Sequence, residues 1–171
     1  MNKLLLTFIV FIFTYSCKSQ KDKGELRVNE KDSADRLIGY SGQNERMNNA
    51  IIEAKKSFSI FLEELRKPCD SCAMFLVKMK FEEDGSIEHM WVDSLHFKGS
   101  KLFGILSSTP ESIKRVALGD LIEVRKDSLS DWMYVRNRKL IGGYTVKVIY
   151  DDMKPAEKRQ MEEDFQAKIR D

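Results

Sequence analysis

Between Met47 and Leu65 the apolar side chains Met47, Ala50, Ile51, Ala54, Phe58, Phe61, Leu62 and Leu65 recur at spacings of three and four. That period draws one apolar stripe along a helix, and a stripe of this kind must be buried against another element. Asn44 stands where a cap would, Glu45 suits the positive end of the helix, and Pro68 denies a backbone donor at its other end. The pattern then changes to period two. Phe75, Val77, Met79 and Phe81 alternate with Lys78 and Lys80, Asp84-Gly85 supplies a turn, and residues 87–95 form a second alternating run, so a β-hairpin is expected. A two-residue turn would put Met90 and Val92 on the face of Phe81. A three-residue loop with Gly85 left-handed would put Ile87, His89 and Trp91 there instead. The larger apolar set, Ile87, Trp91 and Leu95, favours the second register.

Further strands are predicted over residues 101–107, 121–125, 132–136 and 144–150, where Tyr144, Val146, Val148 and Tyr150 alternate with Thr145 and Lys147. A helical turn is expected over 110–116. A closing helix over 155–170 offers only Met161, Phe165 and Ile169 to the body, the narrow stripe of a surface helix. Strands joined by short connections and flanked by helices predict an α+β fold. Its sheet should be curved and antiparallel, of about five to six strands, with an amphipathic helix before it and a surface helix after it.

The N-terminus has a different anatomy. Lys3 precedes an apolar run over residues 4–15 in which only Thr7, Thr14 and Tyr15 carry polar groups. As a helix that run reaches about 18 Å, short of the roughly 30 Å core of a bilayer, so residues 1–16 read as a cleaved export signal. Ser16-Cys17 at its end resembles the lipobox of bacterial lipoproteins, which implies that Cys17 is lipidated and becomes the mature N-terminus. Several acyl chains on one residue exceed the regime of marginal, reversible membrane binding. Lys18 after the cysteine is similar to the sorting pattern of lipoproteins bound for the outer membrane. Residues 18–36 are charged and poor in apolar side chains, so residues 17–36 read as a lipidated cysteine and flexible tether, with a reach of about 25 Å. A single domain over 37–171 completes the organisation.

Charge excludes one class of partner. The chain of 171 residues has 29 basic and 27 acidic side chains, and loss of the signal removes only Lys3 from that balance. With no basic block, nucleic acid is not expected as a ligand.

Cys69 and Cys72 form a CxxC outside the reducing cytosol, for which a structural disulfide is the default. The motif follows a helix and precedes a strand, the reverse of the order in thioredoxin-like redox sites. Cys69, Cys72, His89 and His96 lack the spacing of a zinc finger, and no metal or other cofactor is expected. For catalysis the candidate is His89 acting with Asp93 or Asp131 as an acid–base pair. For binding, the aromatics and glycines around the fifth predicted strand offer either core filling or the wall of a groove. The groove candidates are Trp91, Asp131, Trp132, Tyr134, Gly142, Gly143 and Tyr144.

Residues 128–135, SLSDWMYV, and residues 140–145, LIGGYT, resemble the signature of the YegJ-like family, a bacterial domain of unknown function. Met47, Ala50 and Ala54, the run Glu88-His89-Met90-Trp91, Gly119-Asp120 and Asp152-Met153 fit the same family in order, so the resemblance covers about 46–165. It implies a small α+β domain and carries no catalytic role with it. The expected protein is an envelope lipoprotein whose sheet binds a protein or peptide without catalysing a reaction. The alternative is an enzyme built on His89.

Overall fold

In the computed structural model of the protein, residues 30–67 and 69–170 are described, with side chains from residue 45 onward. The expected signal at 1–16, Cys17 and the first part of the expected tether lie outside the described residues. Helix α1 spans Glu30–Arg66, so it begins inside the stretch expected to be a tether and passes through Asn44, which therefore is not its cap. Once a helix is nucleated by packing at one end, adding residues to the other end costs little, and composition alone does not show where it stops.

The expected stripe is what α1 buries. Ala50, Ala54, Phe58 and Phe61 are all buried, while Ile52 and Ile60 on the other side are exposed. Each buried phenylalanine contributes about 1.5–3 kcal/mol relative to an exposed one.

The helix lies on one six-stranded antiparallel sheet made of β1 (Cys72–Glu83), β2 (Ser86–Lys98), β3 (Lys101–Leu106), β4 (Leu121–Val124), β5 (Leu129–Arg136) and β6 (Lys139–Gly142). Their order in space is β4-β3-β2-β1-β5-β6. Among the described residues no helix is long and apolar enough to cross a membrane.

The β1–β2 turn decides the hairpin register against the three-residue loop. Glu83 pairs with Ser86, leaving Asp84 and Gly85 as a two-residue turn with φ of 49° and 79°, the double left-handed geometry that matches strand twist. Met90 and Val92 therefore join Phe81 in the core, and Ile87, His89 and Trp91 occupy the opposite face.

Strand β5 is buried from Leu129 to Val135 because both of its faces are covered. Trp132 and Tyr134 lie under α1, while Met133 and Val135 pack with Leu140, Val146, Ala167 and Ile169. The β6 edge is closed by the C-terminal segment: the Leu140 N–H donates to the Lys168 carbonyl at 2.9 Å and the Lys168 N–H to that of Arg138 at 2.8 Å.

Three local expectations are corrected. Residues 144–150 are not a strand but the start of α2 (Tyr144–Asp152). Thr145 and Val146 are both buried, and two adjacent inward side chains fit a helix rather than an alternating strand. The closing helix α3 is shorter than expected, Pro155–Asp164, and beyond it Ala167 and Ile169 are buried in an extended segment that bonds to β6. No helical turn forms over 110–116. That loop is held by two carboxylates: Glu88 accepts from the N–H groups of Glu111 (3.0 Å), Ser112 and Ile113 (3.0 Å), and Glu83 from those of Lys114 and Arg115. Backbone donors satisfied in this way do not need a helix.

Candidate functional site

The aromatic signature is core. Trp132 is 2% exposed, its indole N–H donates to the Ala54 carbonyl of α1 at 2.9 Å, and its ring lies 5.3 Å from that of Phe61. Tyr134 stacks on Phe75 at 4.9 Å, and Tyr144 meets the edge of Trp132 at 5.7 Å. Gly142 and Gly143 both have positive φ, 72° and 61°. A Cβ on Gly142 would stand 2.5 Å from a ring carbon of Trp132, so the glycine is what lets the backbone close over the indole. Trp132, Tyr134, Gly142 and Gly143 are buried and present no surface to a ligand.

Asp131 is a helix cap supplied from a strand. One carboxylate oxygen accepts from the N–H groups of Trp132 (2.8 Å) and Tyr144 (3.0 Å), the other from the N–H (2.8 Å) and hydroxyl (2.6 Å) of Thr145. The first turn of α2 has no side-chain cap of its own, and a carboxylate there satisfies orphan donors and complements the helix dipole. Burial pushes the carboxyl above its ordinary value, while the four donors pull it down.

The acid–base candidates do not converge. His89 is exposed, and its Nδ1 lies 2.6 Å from the buried Ser130 hydroxyl. Desolvation of the ring lowers its pKa below 6.5, and Lys78 and Lys80 push in the same direction. Asp93 stands four residues along β2, about 13 Å away in an extended strand. Both Asp131 oxygens are committed to Trp132 and α2. Among the described residues no group of three or more His, Cys, Asp or Glu side chains could hold a metal ion. Cys69 and Cys72 are joined by a disulfide with Cα atoms 5.3 Å apart, and His96 rests on Phe103.

Trp91 is the signature aromatic that reaches a surface opening. It lines a groove of about 710 Å³, within the size range of ligand sites. Leu76, Met133 and Phe165 give that groove apolar walls, and Asp93, Ser94 and Ser108 give it polar ones. Two β-bulges flank it, where register shifts in β1 and β2 leave Met74 and Ser94 with φ of 55° and 48°. Bulges of this kind re-aim side chains beside sites. The Ser108 hydroxyl accepts from the Trp91 N–H at 2.9 Å and holds the tryptophan to the loop after β3.

One residue of this region escaped the sequence reading. The ammonium of Lys78 lies 5.2 Å from the centre of the Trp91 ring, and burial lowers its pKa. Its alternation with Val77 and Met79 reads as an ordinary solvent-facing lysine, and only the cross-strand pairing with Trp91 and Asp131 reveals its position.

The sequence has relatives among bacterial proteins. The chain is 28% identical over 146 residues to the uncharacterised protein YegJ of Escherichia coli strain K12, covering 85% of this chain and 86% of that protein. It is 33% identical over 135 residues to a Neisseria meningitidis serogroup B protein named for ankyrin repeats, covering 74% of this chain. The match spans about half of that relative, 53% of its length. No solved structure matches the chain. The profile of DUF2314, described as an uncharacterised protein conserved in bacteria, matches residues 44–166, a span that holds α1 from Asn44 to the end of α3, every strand and the Trp91 groove. The chain belongs to the DUF2314 family of bacterial proteins.

Proposed function

We propose that this protein is a non-catalytic peptide-binding module of the cell envelope, anchored to the outer membrane by a lipid on Cys17, with the Trp91 groove as its binding surface. The groove itself carries the reading. It is ligand-sized and open, with apolar walls and a few polar groups, and it borders the aromatic core through Phe75. The dispersal of His89, Asp93 and Asp131 favours binding over acid–base chemistry. The leader and Cys17 support the anchor, which would hold the groove close to the membrane.

The test is a peptide array carrying random dodecamers tethered through either end, probed with the full chain in detergent and with its Trp91→Ala variant. Binding that the variant loses while melting like the parent supports the module. Absence of binding on every array, or binding indifferent to Trp91→Ala, removes it. The anchor is tested separately: Cys17→Ala should leave the membrane fraction and lose incorporation of labelled palmitate.

A further inference from the structure

Trp91, which lines the groove, also carries a cation against its ring, Lys78. On the sheet face that holds Leu76, the next β1 residue is Lys78, about 6.6 Å further along the strand, paired with Trp91 on one side and Asp131 on the other. Lys78 is half-buried, and among the described residues its ammonium has the Trp91 ring as a neighbour but no hydrogen bond or ion pair. The Asp131 carboxylate opposite attracts this charge across the strand pair but makes no hydrogen bond to it, because its oxygens accept from Trp132, Tyr144 and Thr145. One row further, Lys80 is already paired with Glu82 at 2.9 Å. His89 meets Ser130 through Nδ1, and among the described residues its Nε2 has no partner. Two nitrogens without a hydrogen-bond partner among the described residues, Lys78 Nζ and His89 Nε2, thus belong to adjacent rows of the sheet face that carries Trp91. A partly desolvated ammonium with no acceptor is an unfinished interaction, and the group that completes it is an anion. Asp93 also lines the groove, a carboxylate that repels a second negative charge.

We propose that Lys78 and His89 form a carboxylate subsite that takes the free C-terminal carboxylate of a peptide, with the last apolar side chain of that peptide lying in the groove against Leu76 and Met133. The proposal rests on the peptide-binding reading above and narrows it to chain ends. Trp91 links the two halves, since it lines the groove and lies under the Lys78 ammonium. A peptide whose second-last residue is acidic is disfavoured by Asp93.

The experiment compares acetyl-Gly-Ser-Ala-Leu with a free carboxylate and the same peptide as its C-terminal amide, binding to the full chain in detergent by calorimetry. The acid should bind about tenfold tighter or better. Lys78→Met, which keeps the aliphatic stem and removes the charge, should erase that difference, and Lys78→Arg should retain it. If Lys78→Met does not fold, His89→Gln is the second handle and should shrink the difference several-fold. Equal affinity of acid and amide overturns the carboxylate subsite and leaves the peptide groove standing. No binding by either peptide, together with empty arrays, overturns both. Tight binding of dodecanoate with no peptide binding would overturn the peptide assignment and give the subsite to lipid carboxylates.

Discussion

The Asp131 carboxylate accepts both the backbone N–H and the hydroxyl of Thr145, at 2.8 and 2.6 Å, so a residue of β5 starts a helix thirteen positions later in the chain. The bond ties β5 to α2 across the Gly142-Gly143 reversal. It also converts what reads in sequence as a catalytic or groove carboxylate into a structural one.

Asp131→Ala should therefore unfold easily. It leaves the Thr145 and Tyr144 N–H groups without their acceptor, the first of them fully buried, and the loss should be about 3 kcal/mol or more. Urea denaturation measures it. Stability equal to the parent would return Asp131 to the list of functional residues.

The two tryptophans should separate cleanly. Trp132→Ala removes a side chain that is 2% exposed and should cost about 3–5 kcal/mol. Trp91→Ala, on the groove, should cost only about 1 kcal/mol. Thermal melts of the two variants against the parent decide the point, and similar losses would mean that Trp91 is core as well.

His89 should titrate below its ordinary 6.5 in NMR spectra of the ring, and Lys78→Met should move its midpoint upward by removing one of the cations that oppose its charging. The sign for stability follows from proton binding. The unfolded chain takes up a proton near 6.5 before the folded one does, so charging His89 lowers stability as pH falls below about 6.5. His89→Gln should flatten that part of the pH–stability curve.

The carboxylate of Glu88 holds the loop after β3, and the bonds from Glu111 and Ser112 pull its pKa below 4.5. Stability from a depressed carboxylate is complete above the unfolded value and is lost as pH drops through the folded one. Amide exchange at Glu111, Ser112 and Ile113 should be slow at neutral pH and accelerate, beyond its intrinsic pH dependence, as the pH falls below 4.5 toward the folded pKa. Glu88→Gln should speed it at every pH. Protection unchanged in the variant would show that the loop is held by the Ile113 side chain in the core instead.

Much of the fold was legible from local pattern. The α1 stripe of Ala50, Ala54, Phe58 and Phe61, the alternation of Val77, Met79 and Phe81, and the turn at Asp84-Gly85 are periodic signals with a single geometric meaning. The Cys69–Cys72 pair was legible because a CxxC expected outside the reducing cytosol is oxidised by default. The candidate site was legible only in part: Trp91 was named, Lys78 was not. Trp132 and Trp91 carry the same kind of side chain in the same kind of alternating strand, and burial depends on what each strand face meets.

What the sequence by itself determined is where apolar faces exist: one helical stripe, a set of alternating strands and an α+β class, because those follow from period and turn chemistry within a few residues. What only the tertiary structure decided is which face each alternating strand turns inward and where α2 begins. Both hairpin registers place apolar residues toward Phe81, so the choice between Met90 with Val92 and Ile87 with Trp91 is made when β2 packs beneath α1. Residues 144–150 alternate like a strand, yet the double glycine reversal and the distant Asp131 carboxylate start a helix there. A bond between residues far apart in the chain leaves no periodic mark in the sequence.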